Sequence, residues 1–294
     1  MPVIKIPGSR NRLIPRLNLV LDSSATLFVD AFCGDLGYSL HLLRSNALKE
    51  YLVNDPNKYL INYYKVLSGP NDFQMVLDYV FSLGSMNYDL FSDLRRNVSN
   101  VSSTYNRIEL AASFLLLKLT SFTRMMRWNK SGEFTSGFNQ YFENVPVEKI
   151  LTQIRIKNLK EESEALSKSN IRFSSSNFFN MFSADSIYFQ NDLIGSTFYL
   201  NLPNTECHWP LVRDMDKKLR TSRWTAKPFQ YNDHIAAMKI AGNLQARNAR
   251  VIIPNSNTPF VKDLYTEVAS SFGYLFDVHL PKKSDPTTDI IIVG

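Results

Sequence analysis

The sequence predicts an α/β protein built on a mostly parallel, doubly wound sheet. Seven short runs of apolar, β-branched and aromatic residues recur along the chain, and several are apolar throughout, as expected of strands covered on both faces. Helical patterns follow four of these runs, and strand–helix alternation is typical of parallel sheets. With 294 residues, 44% of them hydrophobic, the chain suffices for one large domain or for a domain with an inserted subdomain.

The predicted strands, in chain order, are 26–32, 51–54, 171–175, 196–202, 250–255, 274–280 and 289–294. The helices predicted between them are 37–49, 56–67, 231–247 and 258–271. The last two strands are joined by Pro-Lys-Lys-Ser-Asp-Pro-Thr-Thr, which is too short for a helical crossover. We therefore expect an antiparallel hairpin at one end of the sheet.

Residues 68–170 differ from the rest of the chain in their sequence pattern and composition. They carry several helical patterns and one piece rich in Gly, Ser and Asn, "RWNKSGEFTSGFNQ". We interpret them as an inserted, largely helical subdomain that carries a hairpin. Residues 1–67 and 171–294 would then form the sheet domain.

Bulk properties narrow the class of protein. The chain carries 33 Lys and Arg against 27 Asp and Glu, and this mild basic excess is compatible with a polyanionic partner. Its two cysteines cannot form a disulfide framework, and its four histidines lack zinc-site spacing, so no metal is expected. Neither a signal peptide nor an apolar run of about 18 residues is present. We expect a soluble intracellular protein, cytoplasmic or nuclear, with no membrane partner.

A strand-to-helix turn is the first candidate site. "FVDAFCGDLGYSL" places Phe32, Cys33 and Gly34 between a strand and a helix, where a glycine turn lets backbone approach a ligand. Roughly twenty residues later, Asp55 ends the next strand, where a carboxylate accepts hydrogen bonds from ribose hydroxyls. The pattern indicates a nucleotide site, and the alternative is an ordinary strand–turn–helix connection.

Residues 121–141, here named the 121–141 hairpin, are the second candidate site. Cations and aromatic side chains flank its Asn-Lys-Ser-Gly turn, and this combination suits phosphate contact and base stacking. These side chains are Arg124, Arg127, Lys130, Phe122, Trp128, Phe134, Phe138 and Tyr141. The alternative is a solvated hairpin whose aromatic side chains pack on the insert.

In this order, the segments resemble the Dam-type DNA adenine-N6 methyltransferases. "DAFCGDLGYSL" is similar to the family's Phe-x-Gly-Gly cofactor turn, "VNDPNKYLINYYK" to its Asn-Asp-x-Asn-x-x-Leu-Ile-Asn-x-Tyr segment, and the 121–141 hairpin to its DNA-reading element. "IPGSRNRLIPRL" and "ARVIIPNSNTPFVKDLY" are similar to its opening and late segments. The resemblance implies a Rossmann-like seven-stranded methyltransferase sheet with an inserted target-recognition subdomain. It also implies S-adenosylmethionine as cofactor and double-stranded DNA as partner.

The resemblance carries over to individual residues. It implies a cofactor site made of Arg10, Phe32, Gly34, Asp35, Asp55, Asn177 and Phe178. It implies DNA contacts by Arg124, Met125, Arg127, Asn129, Lys130 and Gly137, with Arg127 matching the arginine that reads a guanine. Departures from the family pattern are Ile6 for an aromatic residue, Ser9 for glycine, Arg10 for lysine, Asp35 for glycine, Arg124 for glycine, Gly137 for proline and Asn177 for an acidic residue.

"FYLNLPN" falls where the family has its catalytic Asp-Pro-Pro-Tyr. The resemblance implies that Asn201 supplies a side-chain oxygen and Leu202 a carbonyl to the amino group of a flipped adenine. Pro203 would stiffen the turn. Asn204 replaces the aromatic residue that stacks on the base, a contact of about 1–3 kcal/mol. Phe229 or Trp209 could replace that aromatic.

Three hypotheses follow from these departures. The first is an active S-adenosylmethionine-dependent DNA adenine-N6 methyltransferase with an unusual Asn-Leu-Pro-Asn motif. The second is a weak or inactive relative kept as a DNA-binding module, for which a protein partner would be expected. The third keeps methyl transfer but changes the acceptor to RNA. The first is favoured because Gly34, Asp55, Asn201 and Pro203 are kept together.

Overall fold

A computed structural model describes residues 2–6, 8–99, 106–124, 126–129, 131–183, 192–203, 229, 231–281 and 289–294. Its strands are β1 (Leu27–Asp30), β2 (Glu50–Asn54), β3 (Ser85–Met86), β4 (Val145–Pro146), β5 (Ile171–Ser174), β6 (Ser196–Tyr199), β7 (Arg250–Asn255), β8 (Asp277–His279) and β9 (Ile290–Val293). Its helices are α1 (Ile14–Val20), α2 (Gly37–Arg44), α3 (Lys58–Leu67), α4 (Asp72–Ser82), α5 (Tyr88–Ser99), α6 (Arg107–Thr120), α7 (Val147–Ile150), α8 (Gln153–Ser167), α9 (Phe178–Met181), α10 (Tyr231–Gln245), α11 (Pro259–Asp263) and α12 (Ala269–Ser271).

One sheet contains seven of these strands, in the order β5-β2-β1-β6-β7-β9-β8. Neighbours from β5 to β7 run parallel, whereas β9 is antiparallel to both β7 and β8. The predicted α/β class, the seven strands and the antiparallel terminal hairpin are therefore confirmed. β2 lies on one side of β1 in the sheet, and β6 lies on the other side, so the order of the strands reverses at β1. Such a switch point opens a crevice at the carboxyl ends of parallel strands.

The inner strands of the sheet are buried on both faces, which explains why several of them are apolar throughout. Alternate residues of a strand point to opposite faces. Phe28 and Tyr199 accordingly belong to a core cluster shared with α2, α3 and the helices between β2 and β5. Val29 and Phe198 belong to a second cluster shared with α9, α10 and α11. Helices on both faces hold the carboxyl edge of the sheet in place.

Residues 68–170 contain the helices α4 to α8. α6 packs against α3, α4 and α5, and every residue from Ala111 to Thr120 is buried. α8 returns to the sheet and packs on α2 and α3. One core cluster includes side chains from α3 and from these helices. The separation of residues 68–170 as a subdomain stays a prediction.

Two predicted helices differ from the structure by more than two residues at an end or in how they are wound. The helix predicted over 37–49 ends at Arg44, because Asn46 adopts a left-handed φ of 48° that stops the helix. The helix predicted over 258–271 is divided into α11, a π-helical turn at Leu264–Val268, and α12. The periodicity of a sequence predicts the existence of a helix well. It predicts the ends of the helix and the winding of its turns less well.

Candidate active site at the carboxyl edge of the sheet

The turn between β1 and α2, residues 31–36, is the predicted cofactor turn. The Cys33 amide donates to the Asn54 carbonyl at 2.8 Å, and the Leu36 amide donates to the Cys33 carbonyl at 2.7 Å. Gly34 and Leu36 adopt left-handed φ values of 46° and 55°. The chain therefore reverses sharply at the sheet edge, where its backbone approaches any ligand closely.

Asn54 joins the strand ends around this turn. Its Nδ2 donates to the carbonyls of Ala31 at 3.1 Å and Ser176 at 3.0 Å, and its Oδ1 accepts from the Ser176 amide at 2.9 Å. The side chain is fully buried, so these bonds satisfy a polar group that would otherwise be costly. Sequence reasoning gave Asn54 no role, although an asparagine inside an apolar strand is itself a signal.

Asp55, which is predicted to accept hydrogen bonds from ribose hydroxyls, is held beside the cofactor turn. Its two carboxylate oxygens accept from the amides of Gly34 at 3.3 Å and Asn57 at 2.9 Å. Burial raises the pKa of Asp55 to about 6. Each oxygen keeps a further lone pair, so the carboxylate can still accept a hydroxyl hydrogen.

Asp35, which replaces a family glycine, caps the start of α2. Its carboxylate accepts from the Gly37 amide at 3.1 Å and from Asn11 Nδ2 at 3.5 Å. Burial raises the pKa of Asp35. A Cβ on Gly37 would lie 1.7 Å from Asn11 Oδ1, so any larger residue at position 37 would have to displace the Asn11 side chain. Sequence reasoning missed Gly37 because the contact with Asn11 is made only in the folded chain.

Arg10, another predicted cofactor residue, is buried and forms an ion pair with Asp289. Arg16 donates to the carbonyl of Asp289 at 2.8 Å, so both arginines tie the N-terminal segment to the start of β9. One guanidinium nitrogen of Arg10 is thus engaged with a protein carboxylate.

Asp30 is a buried carboxyl that sequence reasoning did not select. It ends β1 and accepts a hydrogen bond from Ser39. Burial raises the pKa of Asp30 to about 7, and the charges of Asp35 and Asp55 act in the same direction. Its place in "FVDAF", directly before the turn, is the sequence signal that could have identified it.

The predicted catalytic turn follows β6. Asn201 Nδ2 donates to the carbonyl of Gly8 at 3.4 Å, and this contact orients the amide. Asn201 Oδ1 is buried and has no hydrogen-bond partner among the described residues. Leu202 is buried in the core cluster that contains Val29 and Phe198, which fixes the turn, and Pro203 follows it. Asn204 lies outside the described residues.

Aromatic side chains pack around Phe32 of the cofactor turn. The ring centroids of Phe32 and Phe178 are 4.7 Å apart. Phe229, considered above as a replacement for the stacking aromatic, meets Phe32 edge-on at 6.0 Å and stacks on Phe179 at 6.0 Å. Asn177 caps α9 by accepting from the Phe179 amide at 2.9 Å. Phe229 therefore lies with the predicted cofactor residues; Trp209 is outside the described residues.

The backbone of the 121–141 hairpin is fixed on both sides of Arg127. The Arg127 amide donates to Ser136 Oγ at 2.9 Å, and its carbonyl accepts from the Thr135 amide at 2.8 Å. The Arg127 side chain is exposed, as is that of Arg124. Gly137 is exposed and accepts from the Phe122 amide at 2.8 Å.

Asn129 closes the loop of this hairpin. Its Nδ2 donates to Glu133 at 2.6 Å, and its Oδ1 accepts from the Glu133 amide at 2.9 Å. These bonds give Asn129 a role in the turn itself. Met125 and Lys130, two further predicted DNA contacts, lie outside the described residues.

The hairpin aromatics divide into two groups. Trp128 is buried and stacks on Tyr59 of α3, with ring centroids 5.2 Å apart and planes 6° apart, while Phe134 meets it edge-on at 5.3 Å. Phe122 and Tyr141 are 65% and 80% exposed. Some aromatic side chains of the hairpin thus pack on neighbouring elements, and two others are largely exposed.

The described residues contain no metal-binding arrangement of three or more His, Cys, Asp or Glu side chains. In the same part of the chain, none of the helices has the length and apolar character needed to cross a membrane.

The sheet order, the glycine turn after β1 and the polar turn after β6 define the class of Rossmann-like methyltransferases. A family model described as D12 class N6 adenine-specific DNA methyltransferase matches residues 7–189. Because this match covers more than half of the chain, the protein belongs to that family. The predicted resemblance is confirmed, although the match ends before Asn201.

Individual relatives carry names of the same kind. The chain is 25% identical over 220 residues to a "DNA N-6-adenine-methyltransferase" of Escherichia phage P1, covering 74% of this chain and 25% of the phage protein. It is 21% identical over 271 residues to the "Type II methyltransferase M1.LlaDCHI" of Lactococcus lactis subsp. cremoris, and the match covers 90% of this chain and 84% of that protein. A 149-residue match to "Type II methyltransferase M.CviBI" of Paramecium bursaria Chlorella virus NC1A is 23% identical and covers 48% of this chain and 50% of that protein. The chain thus spans about a quarter of the phage relative.

Proposed function

We propose that the protein transfers a methyl group from S-adenosylmethionine to the N6 amino group of adenine in double-stranded DNA. Membership of the D12 family and the names of the relatives support this reaction class. The observation that carries the proposal is Asn201 Oδ1, a buried acceptor without a partner among the described residues, at the carboxyl end of β6.

Asn201 Oδ1 has the chemistry that the reaction requires. The lone pair of the adenine amino group is delocalised into the ring, so the group is a poor nucleophile. In this proposal, Asn201 Oδ1 accepts a hydrogen bond from one N–H of the adenine amino group, and the Leu202 carbonyl accepts a hydrogen bond from the other N–H. This arrangement favours a pyramidal nitrogen. Positioning and electrostatics then supply most of the rate enhancement. Nδ2 is bonded to Gly8, so Oδ1 is the atom of this amide left to face the base.

The cofactor supplies an electrophilic methyl group on a sulfonium, and several residues of the chain fit it. Asp55 accepts the ribose hydroxyls, since its carboxylate is fixed by two backbone amides yet keeps lone pairs. The left-handed turn at Gly34 admits close approach of the backbone. Phe32 and Phe178 provide ring surface for a nucleobase at the same edge.

DNA is bound by the 121–141 hairpin in this proposal. The exposed guanidinium of Arg127 stands on a backbone fixed by hydrogen bonds, which suits a bidentate contact with guanine. Phe122 and Tyr141 are 65% and 80% exposed, which suits base stacking. The excess of cations over anions favours the phosphate backbone. An intracellular site of action, where DNA is found, belongs to the same proposal.

Two observations favour a second candidate function, a DNA-binding relative without transferase activity. Arg10 is engaged in a buried ion pair with Asp289. Asp35 places a carboxylate in the cofactor turn where the family has glycine, and burial raises the pKa of that carboxylate. Either change could reduce the affinity for the cofactor.

One experiment separates the two functions. The protein is incubated with isotope-labelled S-adenosylmethionine and mixed-sequence duplex DNA, and the digested nucleosides are analysed by mass spectrometry. Labelled N6-methyladenine is the expected product. Absence of label, with no heat of cofactor binding and with duplex binding retained, would replace the first function by the second. Label recovered only when RNA replaces the duplex would change the acceptor.

A further inference from the structure

Lys118 on α6 is a buried cation that the proposed site does not use. Its residue is 5% exposed, and its Nζ donates a hydrogen bond to the backbone carbonyl of Arg124. Burial of an ammonium group is costly unless hydrogen bonds or opposite charges compensate it. The contact with Arg124 is therefore a specific feature of the fold and not a solvated surface charge.

Arg124 lies where the chain bends into the 121–141 hairpin. It adopts a left-handed φ of 53°, a conformation that is strained for a residue with a side chain. Its amide donates to the Ser121 carbonyl at 2.9 Å, so both sides of this residue are bonded. The bend lies three residues before Arg127. The position of Lys118 Nζ consequently helps to fix the direction in which Arg127 enters the hairpin.

Lys118 also interacts electrostatically with Asp35 of the cofactor turn. Burial lowers the pKa of Lys118 to about 8, Arg124 acts in the same direction, and the carboxylate of Asp35 opposes both. α6 packs on α3, and the Tyr64 hydroxyl of α3 donates to the Gly34 carbonyl at 2.7 Å. α6 therefore carries Lys118 bonded to the bend at Arg124, and it packs on the helix that is bonded to the cofactor turn.

We propose that Lys118 is a positioning residue that couples the cofactor turn to the 121–141 hairpin, so that an occupied cofactor site changes the affinity for duplex DNA. The inference rests on the proposed function, because it takes the hairpin to bind DNA. A ligand that shifts Asp35 changes the electrostatic energy of Lys118, and Lys118 transmits the change through its bond to Arg124.

The first test measures duplex affinity by fluorescence anisotropy with and without S-adenosylhomocysteine, the methyl-free form of the cofactor. In the wild-type chain, S-adenosylhomocysteine is expected to tighten duplex binding by about fivefold or more. Lys118→Met is expected to reduce this effect to less than about twofold. Lys149→Met removes an exposed lysine of the same charge and should keep the full effect.

The second test measures duplex binding against pH, and its first result comes from the wild-type chain alone. The charged groups around Lys118 are Arg124 and Asp35; burial lowers the pKa of Arg155 on α8, and the charge of Arg124 lowers it further. Since the pKa of Lys118 is lowered to about 8, its charged form is lost as pH rises through that value. Duplex binding by the wild-type chain should weaken between about pH 7 and pH 9, and Lys118→Met should flatten this slope.

The outcomes distinguish this inference from the proposed function. Cofactor-dependent tightening that persists in a folded Lys118→Met protein overturns the coupling. A wild-type duplex affinity that is level across this pH range also overturns it, even if Lys118→Met fails to fold. If Arg127→Ala abolishes duplex binding in either case, the hairpin's DNA-binding role stands alone. If the wild-type chain binds no duplex, both proposals fail.

Discussion

At the residue scale, the start of α2 depends on the absence of one side chain. A Cβ on Gly37 would lie 1.7 Å from Asn11 Oδ1 and 2.6 Å from Asn11 Cγ. Asn11 also donates to Asp35, which caps the helix through the Gly37 amide. Displacing Asn11 would therefore disturb the N-terminal segment and the cofactor turn together.

Gly37→Ala is expected to lower the free energy of unfolding by about 1–3 kcal/mol, because the new methyl group forces Asn11 out of place. Thermal and denaturant unfolding measure this change. Gly137→Ala is the matched control, since its Cβ would meet no atom within 4 Å. Equal melting temperatures for the two variants would show that the Asn11 contact is readily relieved.

At the scale of elements, the 121–141 hairpin is anchored on one side and open on the other. Trp128 stacks on Tyr59 of α3, and Phe138 packs on Phe91 of α5 with centroids 5.1 Å apart. Tyr141 stands at the opposite extreme, 80% exposed. Stability and DNA binding should therefore depend on different aromatic residues of one hairpin.

Trp128→Ala is expected to destabilise the protein by about 3 kcal/mol, because it removes a large ring that is 8% exposed. Chemical denaturation measures the loss. A variant as stable as the wild type would mean that the hairpin is not anchored through this ring.

Tyr141→Ala should leave the melting temperature unchanged and weaken duplex binding by about tenfold, the effect of losing one stacking ring. Anisotropy with a labelled duplex measures the affinity. Tyr88→Ala removes another exposed tyrosine and serves as the control. Unchanged affinity in the Tyr141 variant would remove that ring from the proposed DNA interface.

At the scale of the whole molecule, Glu162 connects the N-terminal segment to α8. Its Oε2 accepts from the Val3 amide at 3.1 Å, and the side chain is fully buried. Burial raises the pKa of Glu162 from 4.5 to about 7. The folded protein binds this proton more tightly than the unfolded chain, so the stabilising contribution is complete below pH 4.5 and is lost as pH rises towards 7.

Glu162→Gln, which stays neutral, is accordingly expected to melt above the wild type at about pH 8, by roughly 2–4 °C for each kcal/mol gained, and no higher at about pH 4. Calorimetry at the two pH values measures the difference. Glu164→Gln, an exposed neighbour, should show no such pH dependence. A variant less stable than the wild type at both pH values would contradict the assignment of the buried charge.

The sheet could be predicted from the sequence because several of its strands are continuous apolar runs separated by helical patterns. Sequence reasoning also selected Asn201 and Asp55, which come shortly after the ends of such strands and whose roles at the site stay predictions. It could not reach Asn54, Gly37 or Lys118 in the same way. Their roles arise from bonds to residues far away in the chain or from close approach of backbone, and neither leaves a periodic pattern.

The central claim is that Asn201 Oδ1 accepts a hydrogen bond from the adenine that is methylated. Its most direct test is the single-turnover rate of Asn201→Ala protein saturated with S-adenosylmethionine and duplex DNA. The account predicts a rate lower by about 100-fold or more, with cofactor affinity within about twofold of the wild type. Asn170→Ala, at an exposed asparagine just before β5, should keep the wild-type rate. A wild-type rate in Asn201→Ala protein would contradict the claim.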